Sequence, residues 1–293
     1  KHETHKNWTY QSASQLRSSN HFTCPELLLH AHVIQTPSHI LRHYLRMAAA
    51  GRITGQTAVV VGGSRGIGLG LVRKLLDRDN RVIATARKPA EAVQLKELGQ
   101  QYGGKLQVTA LDMSEPASVT AWAQSLKEQQ GVGHIDVLVN SAGVYGNRRG
   151  ALAEWTPEDF TEVFKTNTLG PFMVVQQLHK QGLLGPPRSL VVNVTTIMAS
   201  HGDPTVSGVT PGGYAYRASK GALNIVNKAL SLELAKDKVE FVLIHPGYVQ
   251  TDMTGGQGWV TVEESTTGIM SVLETKYPLN DKWYAFNGDE VPY

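Results

Sequence analysis

The strongest constraint on how this chain folds is an alternation that begins at Thr57. Six short runs rich in β-branched residues, TAVVV, RVIATA, LQVTAL, IDVLVN, SLVVNV and VEFVLI, are separated by longer stretches whose apolar residues recur near a helical period. Runs this uniformly apolar suit strands covered on both faces, and such strands pair in parallel. Crossovers through helices are right-handed, so the pattern predicts an α/β fold with a doubly wound parallel sheet. Ligands of such sheets lie beyond the carboxyl ends of the strands, which makes the residues after each run the candidates for function.

At 293 residues, 41% of them hydrophobic, the chain can bury one substantial core. A single domain is expected over residues 51–293, preceded by an extension over 1–50. Residues 1–46 hold seven of the eleven histidines, five basic side chains (Lys1, Lys6, Arg17, Arg42, Arg46) and two acids (Glu3, Glu26). Their net +3 equals that of the whole chain, so the remainder is neutral and no nucleic-acid surface is expected. The extension reads either as translated leader, since Met47 followed by AAAGRITGQ looks like a natural start, or as a basic, acid-poor transit segment. The first reading places the protein in the cytoplasm, the second in a plastid. The lone Cys24 excludes an internal disulfide and a cysteine-based zinc site, and the histidines lack ligand spacing. No apolar run approaches the roughly 18 residues of a membrane span, so neither a metal nor a membrane is expected.

The first run leads directly into GGSRGIG, with Gly62, Gly66 and Gly68 ahead of a helical stretch. Glycine lets the backbone turn tightly and approach a pyrophosphate, which free N–H groups at the helix start can hold. Gly62, Ser64, Arg65, Gly66, Ile67 and Gly68 therefore read as the dinucleotide-binding turn of a Rossmann fold. The same residues satisfy G-x-S-x-G, a hydrolase elbow with Ser64 as nucleophile and His245 as the base it would need. Such an elbow normally follows several strands, whereas a single run precedes Ser64.

The second run ends in ATARKP, without the acid that bonds a ribose 2′-hydroxyl. Arg87, helped by Lys88 and Arg65, suits a 2′-phosphate, so NADP is expected over NAD. Lys88 fits ordinary surface charge equally well. Asp112, after the third run, either bonds the adenine edge or caps the helix near Pro116. In VNSAG, Asn140, Ala142 and Gly143 give a small-residue passage beside a cofactor, and Asn140 is also suited to tying strands together. WTPEDF offers Thr156 as an N-cap and Pro157 as the first helical residue. Further on, Pro171 has no N–H for the carbonyl of Asn167, which predicts a kink and a freed carbonyl able to hold a water.

In YAYRASK, Tyr216 and Lys220 stand at i and i+4 on one helix face, a relation no other tyrosine of the chain has with a lysine. Tyr214 meets Ala218 instead and is expected to pack. A free phenol has a pKa near 10, and a neighbouring ammonium lowers it toward useful proton transfer.

Taken in order, GGSRGIG, NSAG, Asn167 in a kinked helix, YRASK and HPGYVQTDM resemble the short-chain dehydrogenase/reductase (SDR) family over about residues 52–293. YAYRASKGALN and AFNGDEVPY are similar to the C-factor-like carbonyl reductases within it. The resemblance implies an NADP-dependent enzyme that reduces a small aldehyde, ketone or quinone by hydride transfer. It makes Tyr216 the proton donor, gives Lys220 the ribose and the lowering of the phenol pKa, and lets Asn167 anchor a relay water. It sets Pro246, Gly247, Val249 and Thr251 against the nicotinamide, and it implies pairing through two long helices as a homodimer or homotetramer. The alternative is an NADP-binding relative with little catalysis.

Two positions depart from the family pattern. Val61 stands before Gly62 where threonine is usual, and Thr195 and Thr196 stand where a serine binds the substrate oxygen. Thr196 matches that position best; it keeps the hydroxyl but restricts χ1 and adds a methyl group. Ser200 is a substitute if the HGDPTVSGVTPGG loop folds back. The substrate pocket is expected from the loops after Ser200, from Tyr145 to Arg149, and from TGGQGW, a lid carrying Trp259.

Overall fold

The computed structural model describes residues 53–146 and 152–293. The extension expected over 1–50 and part of the Tyr145 to Arg149 loop lie outside the described residues. Seven strands form one sheet in the order β3-β2-β1-β4-β5-β6-β7, and every neighbouring pair is parallel. They are β1 Thr57–Val61, β2 Arg81–Ala86, β3 Leu106–Ala110, β4 Val137–Asn140, β5 Ser189–Val194, β6 Val239–His245 and β7 Lys282–Ala285. The connecting helices are α1 Gly66–Leu76, α2 Val93–Tyr102, α3 Pro116–Glu128, α4 Pro157–Phe164, α5 Gly170–Lys180, α6 Tyr214–Glu233 and α7 Val262–Thr275. The doubly wound sheet expected from the six runs is present, and its strand order reverses between β1 and β4.

Alternate side chains along each strand feed two cores, one on each face of the sheet. Ala58 and Val60 join Leu71 and Leu75 of α1 with Ile269 and Leu273 of α7. Val59 and Val61 join Trp122 and Leu126 of α3 with Val174 and Leu178 of α5. The predicted kink is a π turn, Lys165–Leu169, between α4 and α5 and just ahead of Pro171. Thr156 caps α4 as expected, in a reciprocal box with Asp159. Among the described residues no helix is long and apolar enough to cross a membrane.

Beyond the six runs of the sequence, the chain adds α7 and β7. Thr261 starts α7 with a capping box, its hydroxyl accepting the Glu264 N–H at 3.1 Å while the Glu264 carboxylate accepts the Thr261 N–H at 2.8 Å. β7 extends the sheet by four residues beside β6.

Candidate active site

A cleft of about 1350 Å³ opens at the carboxyl ends of the strands, where the sheet order reverses. Its floor is the turn between β1 and α1. A Cβ on Gly62 would lie 2.7 Å from the Ala142 side chain, and one on Gly68 would lie 2.1 Å from the Gly62 carbonyl oxygen. Only glycine permits that closeness, and it lets the turn deliver the chain straight into α1 with its first N–H groups unspent by the helix. The Gly62 N–H donates to Thr85 Oγ1 of β2 at 3.1 Å, so a hydroxyl from the adjacent strand serves the turn where Val61 has none.

Most of the predicted cofactor residues meet here. Gly62, Ser64, Arg65, Gly66, Ile67 and Gly68 line the cleft, and so do Arg87, Asp112, Ala142, Gly143 and Thr251. Arg65 pairs with Asp252 at 3.1 Å across the exposed mouth. Lys88 pairs with Glu91 at 3.0 Å, consistent with its surface-charge reading, and Arg87 is left as the cation beside Asp112. Asp112 does not cap α3, whose N-cap is Glu115 without a side-chain bond. Its carboxylate instead accepts the Ser114 hydroxyl at 2.6 Å and the Ser114 N–H at 3.0 Å. The Ser114 hydroxyl above all, with a smaller part from the Arg87 charge, holds the Asp112 pKa below the usual carboxylate value.

Four predicted cofactor residues are placed elsewhere. Asn140 turns into the sheet, where its amide donates to Asn193 Oδ1 at 2.8 Å and Asn193 donates to Asn227 Oδ1 at 2.9 Å. This ladder ties β4, β5 and α6 together, the strand-tying use expected of Asn140. The Pro246 carbonyl accepts the Ser265 hydroxyl of α7 at 2.7 Å, Gly247 packs against Phe286, and the buried Val249 bridges to Val260. Of HPGYVQT, Thr251 borders the cleft, while the residues before it pack on α7, Phe286 and the Gly258 to Val260 segment.

Asn167, Thr196, Tyr216 and Lys220 form a second cluster that adjoins the cleft through Gly143. A Cβ on Gly143 would stand 3.3 Å from Asn167 Oδ1 and 3.6 Å from Lys220 Nζ. Asn167 is fully buried in the π turn. Its amide donates to the Val144 carbonyl at 2.8 Å and to Ser219 Oγ at 3.1 Å, and its Oδ1 accepts the Val144 N–H at 2.9 Å. The side chain is thus committed, and Pro171, four residues on, has no N–H to give the Asn167 main-chain carbonyl. Ser219 also donates to the Tyr216 carbonyl at 2.8 Å, and Thr168 Oγ1 donates to the Ser219 carbonyl at 2.8 Å. These bonds fasten the π turn to α6 and are not visible in the motif spacing.

The Thr196 hydroxyl lies near the Tyr216 phenol. Burial pushes the phenol pKa up to about 12; the nearby Thr196 hydroxyl works against that rise and Tyr145 adds to it. The expected lowering by Lys220 is absent from this arrangement. Lys220 Nζ donates to the Val194 carbonyl at 2.8 Å, and burial brings its own pKa down to about 8. Ser200 does not substitute for the family serine, although its loop does fold back. Its buried hydroxyl donates to the Pro292 carbonyl and accepts the Asp203 N–H at 2.9 Å. Tyr214 is 39% exposed, more open than a packing residue, with its ring edge-on to Trp155 at 5.5 Å. Trp259 of the expected lid is exposed and meets Tyr248 edge-on.

The short chain dehydrogenase family profile matches residues 56–258. An uncharacterised oxidoreductase of Schizosaccharomyces pombe is 30% identical over 259 residues, which span 82% of this chain and 99% of its own length. The C-signal protein of Myxococcus xanthus is 35% identical over 162 residues, 55% of this chain and 94% of that protein. The NADPH-bound carbonyl reductase from chicken fatty liver is 28% identical with a TM-score of 0.73, and the match covers 82% of this chain and all of that structure. The reversal-point cleft and the tyrosine and lysine on α6 thus occur in a chain matched by the short chain dehydrogenase profile over most of its length, and this protein belongs to the short chain dehydrogenase family.

Proposed function

We propose that this oxidoreductase reduces a carbonyl, an aldehyde, ketone or quinone, to an alcohol with NADPH, and that Tyr216 donates the proton. The observation that carries the reading is Tyr216 and Lys220 one turn apart on α6, with the Thr196 hydroxyl near the phenol, set against a cleft with a glycine turn at its floor. The dinucleotide suits that cleft, because the turn leaves helix N–H groups for a pyrophosphate and Arg87 stands where an NAD-preferring site carries an acid. When bound, the nicotinamide supplies a hydride. With a pKa of about 12, Tyr216 keeps its proton across neutral pH and has it ready for an oxygen that gains negative charge. Thr196 offers a second hydroxyl to that oxygen. Lys220 contributes positive charge beneath the site, and the Asn167 carbonyl holds a water that can resupply the proton.

Oxidation of NADPH by the purified chain against a panel of aldehydes, ketones and quinones is the test, with turnover of several members expected. Tight NADPH binding with no turnover across the panel selects the weakly catalytic alternative. Thr196→Ala should lower turnover with NADPH affinity unchanged, and Thr196→Ser should retain or raise it, as single-turnover kinetics can show. The hydrolase alternative loses its base, since His245 has a buried Nδ1 without a hydrogen-bond partner and burial brings its pKa down to about 4.

Cofactor choice rests on Arg87. Loss of a charge-assisted phosphate contact costs about 1.5 to 3 kcal/mol, so Arg87→Ala should weaken NADPH by roughly ten- to a hundredfold and NADH far less. Fluorescence titration of both cofactors measures this directly. Equal losses for the two would remove Arg87 from phosphate recognition.

A further inference from the structure

Tyr145 lies two residues beyond Gly143, in the loop after β4, and borders the cleft. Its ring stacks on that of Tyr216 with centroids 4.8 Å apart and planes 29° from parallel. At that spacing the rings are in contact and nothing fits between them. On its hydroxyl side Tyr145 abuts Gly213, the left-handed N-cap of α6, where a Cβ would lie 2.8 Å from Tyr145 Oη and 3.7 Å from Met198 Cε. Tyr145 is thereby packed between the reactive phenol and the start of the helix that carries it.

We propose that Tyr145 is a specificity-determining residue: its ring fills a flat space against Tyr216, and it favours carbonyls whose neighbouring group is thin enough to share or take over that space. This rests on Tyr216 being the proton donor of the preceding section. A carbonyl oxygen that reaches the Tyr216 and Thr196 hydroxyls brings its substituents alongside the Tyr145 ring. A flat sp² substituent slides along the ring or replaces it and restores the stacking. A branched sp³ carbon displaces the ring and restores nothing, so it pays in rate.

The test compares kcat/KM for benzaldehyde and 2,2-dimethylpropanal with NADPH, in the parent chain and in Tyr145→Phe, Tyr145→Leu and Tyr145→Ala. The two aldehydes differ in intrinsic reactivity, so the change of their ratio between variants is what counts. Tyr145→Phe should keep the parent ratio, whereas Tyr145→Leu and Tyr145→Ala should lower the preference for benzaldehyde by up to about tenfold. In the ligand-free chain, ¹³Cζ-tyrosine NMR should show the Tyr216 resonance moved in the Leu and Ala variants and little changed in Phe. A ratio that stays constant in a folded Leu or Ala variant overturns the proposal and leaves the reductase reading standing. Failure of the NADPH-bound parent to reduce either aldehyde or any member of the wider panel overturns both.

Discussion

Tyr216→Phe should lower carbonyl turnover by about 10²-fold or more while the chain still folds and binds NADPH. The substitution removes one oxygen and keeps the ring that stacks on Tyr145 at 4.8 Å. Thr196 Oγ1 accepts the Met198 N–H at 3.3 Å with or without the phenol, so stability should change little. What disappears is the proton. Tyr214→Phe is the control, since Tyr214 is chemically identical, lies on the same helix and faces Trp155 rather than Thr196. Stopped-flow NADPH oxidation, a binding titration and thermal unfolding of the two variants separate the three effects. A Tyr216→Phe chain that binds NADPH and reduces a carbonyl at the parent rate would overturn the roles given to Thr196, Lys220 and Asn167 as well.

Those roles were partly legible in the sequence, and the boundary of legibility has physical causes. Gly62 and Gly68 could be read because no other residue tolerates the contacts they make, and Tyr216 with Lys220 because helical geometry fixes the i,i+4 relation. The six apolar runs could be read because a strand covered on both faces admits little else. By contrast, α7 is rich in β-branched residues, which blurs its helical signature despite the capping box from Thr261 to Glu264. The four residues of β7 are too few to show a period.

Side-chain direction at a strand end was the harder matter. Asn140 turns away from the cleft toward Asn193, 53 residues further along, and the Ser200 hydroxyl is taken by Pro292, 92 residues further along. Neither partner is implied by the local motif. The phenol pKa fails for a related reason: spacing announces a charge four residues away, but not how deeply both groups are buried or that Val194 receives the ammonium. Burial is a property of the whole fold, and here it outweighs the pair interaction the motif suggests.

Lys220→Met turns that burial into a measurable quantity. Lys220 is 5% exposed, and its pKa falls from the ordinary 10.5 to about 8 in the folded chain. The unfolded chain therefore binds the proton more tightly than the native one, so the charged lysine destabilises the fold fully below about pH 8. That penalty fades as pH rises from about 8 toward 10.5, where both states become neutral. A shift of this size corresponds to roughly 3 kcal/mol. Methionine carries no such term, but it leaves the Val194 carbonyl without its donor, a cost of about 1 to 3 kcal/mol that does not depend on pH. At any single pH the two contributions oppose each other, whereas their difference between pH 7 and 10.5 isolates the first. Urea unfolding of both chains across that range should show Lys220→Met losing roughly 3 kcal/mol relative to the parent as pH increases, together with weakened NADPH binding and lost turnover at every pH. Parallel stability profiles for the two chains would mean that Lys220 titrates normally, and the buried ammonium beneath the active site would have to be given up.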